Sequence, residues 1–485
     1  MTAPRSLPPC DALVLGGGPA GLSAAWELAC GGARVLVVER EDDTGGLCRT
    51  HVRDGYRFDM GGHRFITADR ELLDRVVALA GKDLLLAERT SEVALLGKRF
   101  KYPLEPRDLL EKLPPQLAVR ALASFLRQRL RPRKAPKSFE DWATQRFGRV
   151  LYELFLGPYT EKVWGVAPSQ LSPEWAPQRI SFRNLSEVAR TLLRRRSNNP
   201  QRTYAKTFLY PRLGMGQLFT RVREAAEGAG AEVLCGSTVA GFEVEGGRVV
   251  AARLNTPQGP ARVACDWVLS TIPLPSLVGL VDPSLAASLG QRLPFRPVRF
   301  LNLGLRAAKV LPTTWRYVGE GGLRAGRLQE PNKRSLAMAP SGRSSLMVEI
   351  PYALGDEIDG LSDRDLLARI RRELEALEVP LEDDPPVVFS VRAPEAYPVH
   401  MRDATSARDA AFARLAPLEN LRSFGRQGSF RFVFSDASMR MGLVAASGVL
   451  SERLATNHEL SRVQSRRTLT EVASLVNAGT LAPGG

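Results

Sequence analysis

Residues 11–21 read DALVLGGGPAG, and residues 22–40 continue LSAAWELACGGARVLVVER. An apolar run, a glycine turn, a helix-forming stretch and a second apolar run closing on an acid make a β-α-β unit. Gly16, Gly18 and Gly21 are the glycines of a GxGxxG. The first permits the tight turn, the second lets backbone approach a pyrophosphate, and the third lets helix and strand pack closely. The helix start then offers N–H groups and the positive end of a dipole to the phosphate charge. Glu39 follows Gly21 by 18 residues, at the end of the second run, where a carboxylate accepts from a ribose hydroxyl. Alone the glycines would be a weak signal; with both flanking runs and the acid they specify a dinucleotide site. A second pair, Gly45-Gly46, comes just after Glu39 and supplies the further close backbone approach that an extended FAD needs.

Working outward, 485 residues are too many for one core and imply about two to four domains. Apolar residues at 44% and charged residues at 25% exclude collagen-like, coiled-coil and wholly disordered chains. No run of 18 apolar residues occurs, so no spanning helix is expected, and the first residues do not read as a signal peptide. Five cysteines without CxxC spacing and four scattered histidines argue against a disulfide framework and against a metal site. A reducing cytoplasm is the simplest compartment.

The net charge of +15 draws anions toward the surface: nucleotides, nucleic acid or acidic headgroups. The excess is concentrated in two clusters, Arg127, Arg129, Arg131, Arg133, Lys134 and Lys137, then Arg190, Arg194, Arg195, Arg196 and Arg202. Neither is interleaved with aromatics or sits in a binding motif, which disfavours nucleic acid. ALASFLRQRLRPRK (121–134) runs from an apolar half to a basic half, so peripheral contact at the inner membrane face stays open. Solvated helix ends are the plainer alternative. On oligomeric state the sequence is silent.

Three segments resemble one superfamily. ER…DTGGLCRT…GYRFDMGGHRF (39–65), CDWVLSTIP (265–273) and FGRQGSFRFVFSDASMRMGLVAASG (424–448) are similar to flavin amine oxidases, protoporphyrinogen oxidases, phytoene desaturases and UDP-galactopyranose mutases. PYTEKVWGVAPSQLSPEWAPQRISFRNL (158–185), YPRLGMGQL (210–218) and GRQGSFRF (425–432) resemble the mutase branch more narrowly. The resemblance implies noncovalent FAD held by Gly16, Gly18, Gly21, Glu39, Gly45, Gly46, Arg49, Gly61, Gly62 and Gly425. It also places Asp436 toward the ribityl–pyrophosphate and Met441-Gly442 at the pyrimidine edge of the ring. His63 follows the Gly-Gly turn that faces the flavin, which makes it an acid–base candidate and, with Arg179 and Arg327, one of the three expected catalytic residues. Trp164 and Tyr397 would line a sugar-nucleotide cleft. Arg179 would stand near flavin and sugar, and Tyr317 with Arg327 would hold a diphosphate. Phe432 stands where the mutase pattern has tyrosine, and Glu105 follows Tyr102-Pro103-Leu104 where it has glutamine. Core packing is the competing reading for Trp164, Tyr397 and the aromatic strand residues Tyr56 and Phe58, and a backbone-bonded ring is the competing reading for His63.

The implied fold is α/β: a discontinuous Rossmann-like FAD-binding domain (1–100, 205–275, 415–460) and a helical insertion (101–204). A largely antiparallel substrate sheet (276–414) and a flexible tail (461–485) complete it. No Ser-His-Asp or Cys-His motif is evident, so the cofactor carries the difficult step. The first functional expectation is a pyranose–furanose isomerase of an anionic nucleotide sugar working through reduced flavin, with NAD(P)H as candidate external reductant. The rival is an FAD oxidoreductase of amine oxidase, protoporphyrinogen oxidase or desaturase type acting on an apolar or lipid-like substrate. A non-catalytic flavoprotein at a membrane surface ranks third.

Overall fold

The strand Cys10–Leu15 is almost wholly buried, as a run of alanine, valine and leucine must be when neighbours flank it on both sides. In the computed structural model, which describes residues 4–132, 134–174, 176, 207–451, 459–460 and 482–483, this strand lies inside an eight-stranded sheet. Val35–Val38 pairs parallel on one side, followed by Glu232–Leu234. On the other side stands the long strand Gly259–Ser270, which changes partners along its length. Its first half runs antiparallel to Arg248–Thr256, and its second half runs parallel to Cys10–Leu15 and Leu421–Ser423. The helix Pro19–Cys30 covers this sheet and crosses the helix Ser435–Leu450 at close range. The closeness has a cause in Gly442, where a Cβ would collide with the Ala20 carbonyl oxygen and stand 3.0 Å from the Ala24 nitrogen.

A second sheet has seven strands in the order Val387–Pro398, Phe295–Leu305, Ser344–Pro351, Arg327–Gln329, Trp315–Val318, Ser91–Leu95, Lys98–Lys101. All neighbours are antiparallel except Trp315–Val318 with Ser91–Leu95. The helix Asp363–Ala376 packs Leu366, Ile370 and Leu374 under one face, against Leu303, Val348 and Ile350. Phe300, Arg327 and Glu349 look from the sheet into a cavity.

Two expectations change here. Ser91–Leu95, assigned from sequence to the first FAD-binding stretch, and Lys98–Lys101, which straddles its end at residue 100, extend the second sheet, tied by the Gly319 N–H to the Ala94 carbonyl at 2.8 Å. A strand's own residues specify its pleat, not the partner more than 200 positions away that it joins. In the stretch expected to be a flexible tail, Ala482–Pro483 pairs beside Leu85-Leu86.

A helical region with helices Pro106–Lys112, Pro115–Arg129, Phe139–Phe147 and Gly157–Trp164 packs against the second sheet. Ser138 caps the third by accepting from the Asp141 N–H at 3.1 Å. Just before the fourth, Tyr152–Leu156 widens to a π turn, a distortion that re-aims side chains and is common at functional sites. Among the described residues no helix is long and apolar enough to cross a membrane.

Candidate active site

Gly16 leaves the strand Cys10–Leu15 at φ +100°, in the left-handed region where glycine alone is unstrained. A Cβ on Gly21 would fall on the Gly16 carbonyl oxygen, so this glycine serves close packing of helix on turn. Gly18 is different. A Cβ there would meet no atom nearer than the Gly46 Cα at 3.9 Å, because that side of Gly18 opens into a cavity of about 630 Å³. Gly45 and Gly46 have φ +106° and +53°, and Gly45 donates its N–H to the Gly17 carbonyl at 2.7 Å. The two glycine turns thus form one open cradle. The buried Glu39 carboxylate accepts from the N–H of Gly17 at 2.6 Å and of Glu41 at 3.0 Å, and still lines the cavity. A carboxylate offers about four acceptor sites, so one edge of Glu39 can also take a ribose hydroxyl. Cradle, helix start and acid fit the nucleotide end of FAD.

Arg49 lines the same cavity, its Nε on the Gly46 carbonyl at 3.2 Å and Nη1 on Glu41 at 3.2 Å. The hairpin Thr50–Arg53/Tyr56–Asp59 leads into Gly61-Gly62-His63. Asp59 anchors it, accepting from Thr50 Oγ1 at 2.7 Å, from the Met215 N–H at 3.0 Å and from the Tyr210 hydroxyl at 2.6 Å. Tyr56 and Phe58 are core residues, as the plainer reading had them. His63 lines the cavity, with Nε2 3.0 Å from the Met60 carbonyl and Nδ1 4.0 Å from Cys48 Sγ. Burial lowers its pKa, so the ring is neutral, and Nε2–H donates to that carbonyl. Gly62 stands against the Arg327 guanidinium, 3.1 Å from where a Cβ would be. Gly425 lines the cavity at φ +78°.

The far segment is placed differently from expectation. Met441 is fully buried among Ala12, Val14 and Leu28, and Gly442 sits in the helix crossing. Neither lines the cavity, nor does the buried Asp436, whereas Ser435 and Ser438 do. On a helix only one stripe of residues can face the ligand; the crossing with Pro19–Cys30 claims Met441 and Gly442.

At the substrate end, Arg327 extends Nη2 to both carboxylate oxygens of Glu349, at 2.6 and 2.8 Å. Gln329 Nε2 donates to the same carboxylate, and Arg334 donates to the Gln329 side-chain oxygen. Burial alone would lower the Arg327 pKa, but Glu349 raises it well above the ordinary value. The guanidinium carbon stands 5.8 Å from the centre of the Tyr317 ring. Burial pushes the Tyr317 phenol up, yet Arg327, Arg89 and Arg64 together bring it below its usual range. Arg89 also lies 5.5 Å from the Tyr102 ring centre and 5.7 Å from that of Trp315. Trp164, Tyr397 and Phe432 build a wall: Phe432 stacks on Tyr397 at 5.9 Å, and Trp164 meets Tyr397 edge-on. Arg426 lies 4.2 Å over the Phe432 ring. The helical region contributes an apolar arm of the cavity wall: Leu104, Leu109, Leu151, Leu154, Phe155 and Leu156. Arg179 and the cluster Arg190–Arg202 lie outside the described residues.

Sequence reasoning missed Arg89, Glu349 and Arg426. Arg89 precedes the buried strand Ser91–Leu95 and resembles any turn arginine. Glu349 sits in the apolar strand SSLMVEIP (344–351), where a lone buried acid is the signal that should have been asked for its partner.

The family described as flavin containing amine oxidoreductase matches residues 19–421. The chain is 29% identical over 175 residues to coproporphyrinogen III oxidase of Propionibacterium freudenreichii subsp. freudenreichii, covering 34% of this chain and 33% of that one. It is 28% identical over 168 residues to the chloroplastic protoporphyrinogen oxidase of Nicotiana tabacum, covering 33% and 30%. The matches thus span about a third of these relatives' length. Among solved structures, a reduced UDP-galactopyranose mutase superposes with TM-score 0.79 at 22% identity, covering 95% of this chain and 96% of that one, a likeness of fold.

Proposed function

The chain belongs to the flavin containing amine oxidoreductase family and is an FAD-dependent enzyme; from that premise we propose that it oxidises a bulky, largely apolar substrate bearing an anionic substituent. The observation that carries this reading is the arm lined by Leu104, Leu109, Leu151, Leu154, Phe155 and Leu156. A polar sugar would leave that surface wet, whereas each apolar side chain covered by substrate contributes about 1–2 kcal/mol. The cavity wall holds seven arginines (Arg40, Arg49, Arg64, Arg89, Arg327, Arg392, Arg426) against four glutamates (Glu39, Glu41, Glu349, Glu395). That excess suits a pyrophosphate at one end and a carboxylate-like group at the other. When bound, FAD supplies the hydride acceptor. The chain's own part is to hold the substrate body in the arm and to stack it near Trp164, Tyr397 and Phe432. Arg89, at the cavity wall beside Tyr102 and Trp315, steers its anionic end. His63, neutral and tied to Met60, orients the Gly61-Gly62 loop rather than moving a proton at Nε2. The partial likeness to coproporphyrinogen III and protoporphyrinogen oxidases supports this substrate class.

A second reading, isomerisation of a nucleotide sugar, draws on the apposition of Tyr317 and Arg327. Against it, Glu349 already compensates the Arg327 charge on which a diphosphate would depend. Anaerobic mixing of the FAD-loaded protein with porphyrinogens, polyenes and UDP-sugars separates the two. Bleaching of the flavin by an apolar donor, with UDP leaving the spectrum unchanged, is the expected result. Ring contraction of a UDP-sugar by chemically reduced protein would hand the first place to the isomerase.

A further inference from the structure

Large apolar side chains exposed to solvent are few among the described residues, and four of the ten fall on one short stretch: Val119, Leu122, Leu126 and Leu130, at 67, 54, 52 and 88% exposure. Their spacing of three, four and four residues sets them in one ridge along the helix Pro115–Arg129 and its first following residue. The opposite face is fixed to the protein. Ala121 is buried, Ser124 Oγ accepts from the Val150 N–H at 3.3 Å, and a Cβ on Gly148 would lie 2.8 Å from the Phe125 nitrogen. The ridge therefore points outward because the helix is held, not because it is loose.

Charge flanks the ridge on both sides. At 100° per residue, the exposed Arg120 and Arg127 fall to one side of the Val119–Leu126 line and the exposed Arg129 to the other. Between Glu111 and Glu140 the sequence has no acidic residue, while residues 115–137 carry seven lysines and arginines. An apolar stripe with guanidiniums on both shoulders suits a helix lying in the plane of a lipid surface. Its side chains enter the acyl boundary and its cations reach back to the headgroups.

We propose that the helix Pro115–Arg129 docks the protein on an anionic lipid surface, with Val119, Leu122, Leu126 and Leu130 inserted and the flanking arginines on headgroup phosphates. The occupant is lipid rather than an acidic protein because cations stand on both sides of the apolar ridge and continue past its end through Arg131, Lys134 and Lys137. This inference stands apart from the identity of the substrate. The preceding helix, Pro106–Lys112, carries Leu109 into the apolar arm, so the docked face adjoins that wall of the cavity.

The test is sedimentation of the full FAD-loaded chain with vesicles of phosphatidylcholine alone, or of phosphatidylcholine and phosphatidylglycerol in equal parts. Expected is binding to the anionic vesicles that weakens as salt is raised. Leu122→Glu/Leu126→Glu should reduce partition by at least about tenfold, and Arg120→Ser/Arg127→Ser should reduce it on anionic vesicles, both keeping flavin content because all four side chains point away from the core. Wild-type protein that ignores both vesicles overturns the proposal, as does a Leu122→Glu/Leu126→Glu variant that sediments like wild type. A wild-type dimer that this variant converts to a monomer, with vesicle partition unchanged, would instead make the ridge an interface between two copies and overturn it too.

Discussion

Arg327 and Glu349 face each other from adjacent antiparallel strands at the cavity wall, directly opposite in register, with one guanidinium nitrogen bonded to both carboxylate oxygens. Glu349 is 7% exposed and Arg327 16%, so neither charge can fall back on water. Arg327→Leu should destabilise the protein by about 3–5 kcal/mol, because a buried carboxylate is left uncompensated. Arg327→Leu/Glu349→Leu should cost much less. Urea unfolding of the singles and the double gives the coupling; equal losses in Arg327→Leu and the double variant would show that the pair does not act as a unit.

Gly18 and Gly21 should fail in different ways. At Gly18 the backbone is extended (ψ −176°, φ −79°) and the side of its missing Cβ is open, so Gly18→Val should fold normally and lose FAD. Gly21→Val should be unstable whether or not FAD is added, since its Cβ falls on the Gly16 carbonyl. Circular dichroism with flavin stoichiometry reads both. Full flavin occupancy in folded Gly18→Val would mean the cradle is not the pyrophosphate site.

Gly442→Ala should cost roughly 3 kcal/mol through overpacking against Ala20 and Ala24. Met441→Leu should cost less than about 1.5 kcal/mol and leave the visible flavin spectrum unmoved. A spectral shift in Met441→Leu would put that side chain at the isoalloxazine after all.

Acid should destabilise the protein partly through His400. Burial, with Arg408, Arg431 and Arg426 nearby, takes its pKa from 6.5 down to about 3, and Nε2 has no hydrogen-bond partner among the described residues. The unfolded chain binds a proton below pH 6.5 and the folded one does not until about pH 3. This contribution is therefore complete above pH 6.5 and is lost as pH falls through that window, on the order of a few kcal/mol. His400→Gln should flatten the stability profile between those limits in urea titrations at stepped pH. An unchanged slope would show that other groups carry it.

Much of the nucleotide end was legible because its requirements are local. A turn at positive φ, a helix start beside phosphate and an acid at a strand end each constrain a few consecutive residues, and GGGPAG with Glu39 states them. The aromatic wall was half legible. Trp164, Tyr397 and Phe432 meet, but the Arg426 stacked on it came from a segment read only for its glycines and its GSFRF ending.

By itself the sequence determined the βαβ unit and its glycine turns, since periodicity and glycine chemistry act within a few residues of one another, and the resemblance of three longer segments pointed to the flavin family. It could not say that Ser91–Leu95 leaves the first sheet for the second, that Gly442 is a helix crossing, or that Arg327 is already answered by Glu349. Those facts depend on which distant segments arrive at the same place. A guanidinium reads identically in sequence whether it faces a ligand or a carboxylate, and only the folded chain decides how much of its charge is left for a substrate.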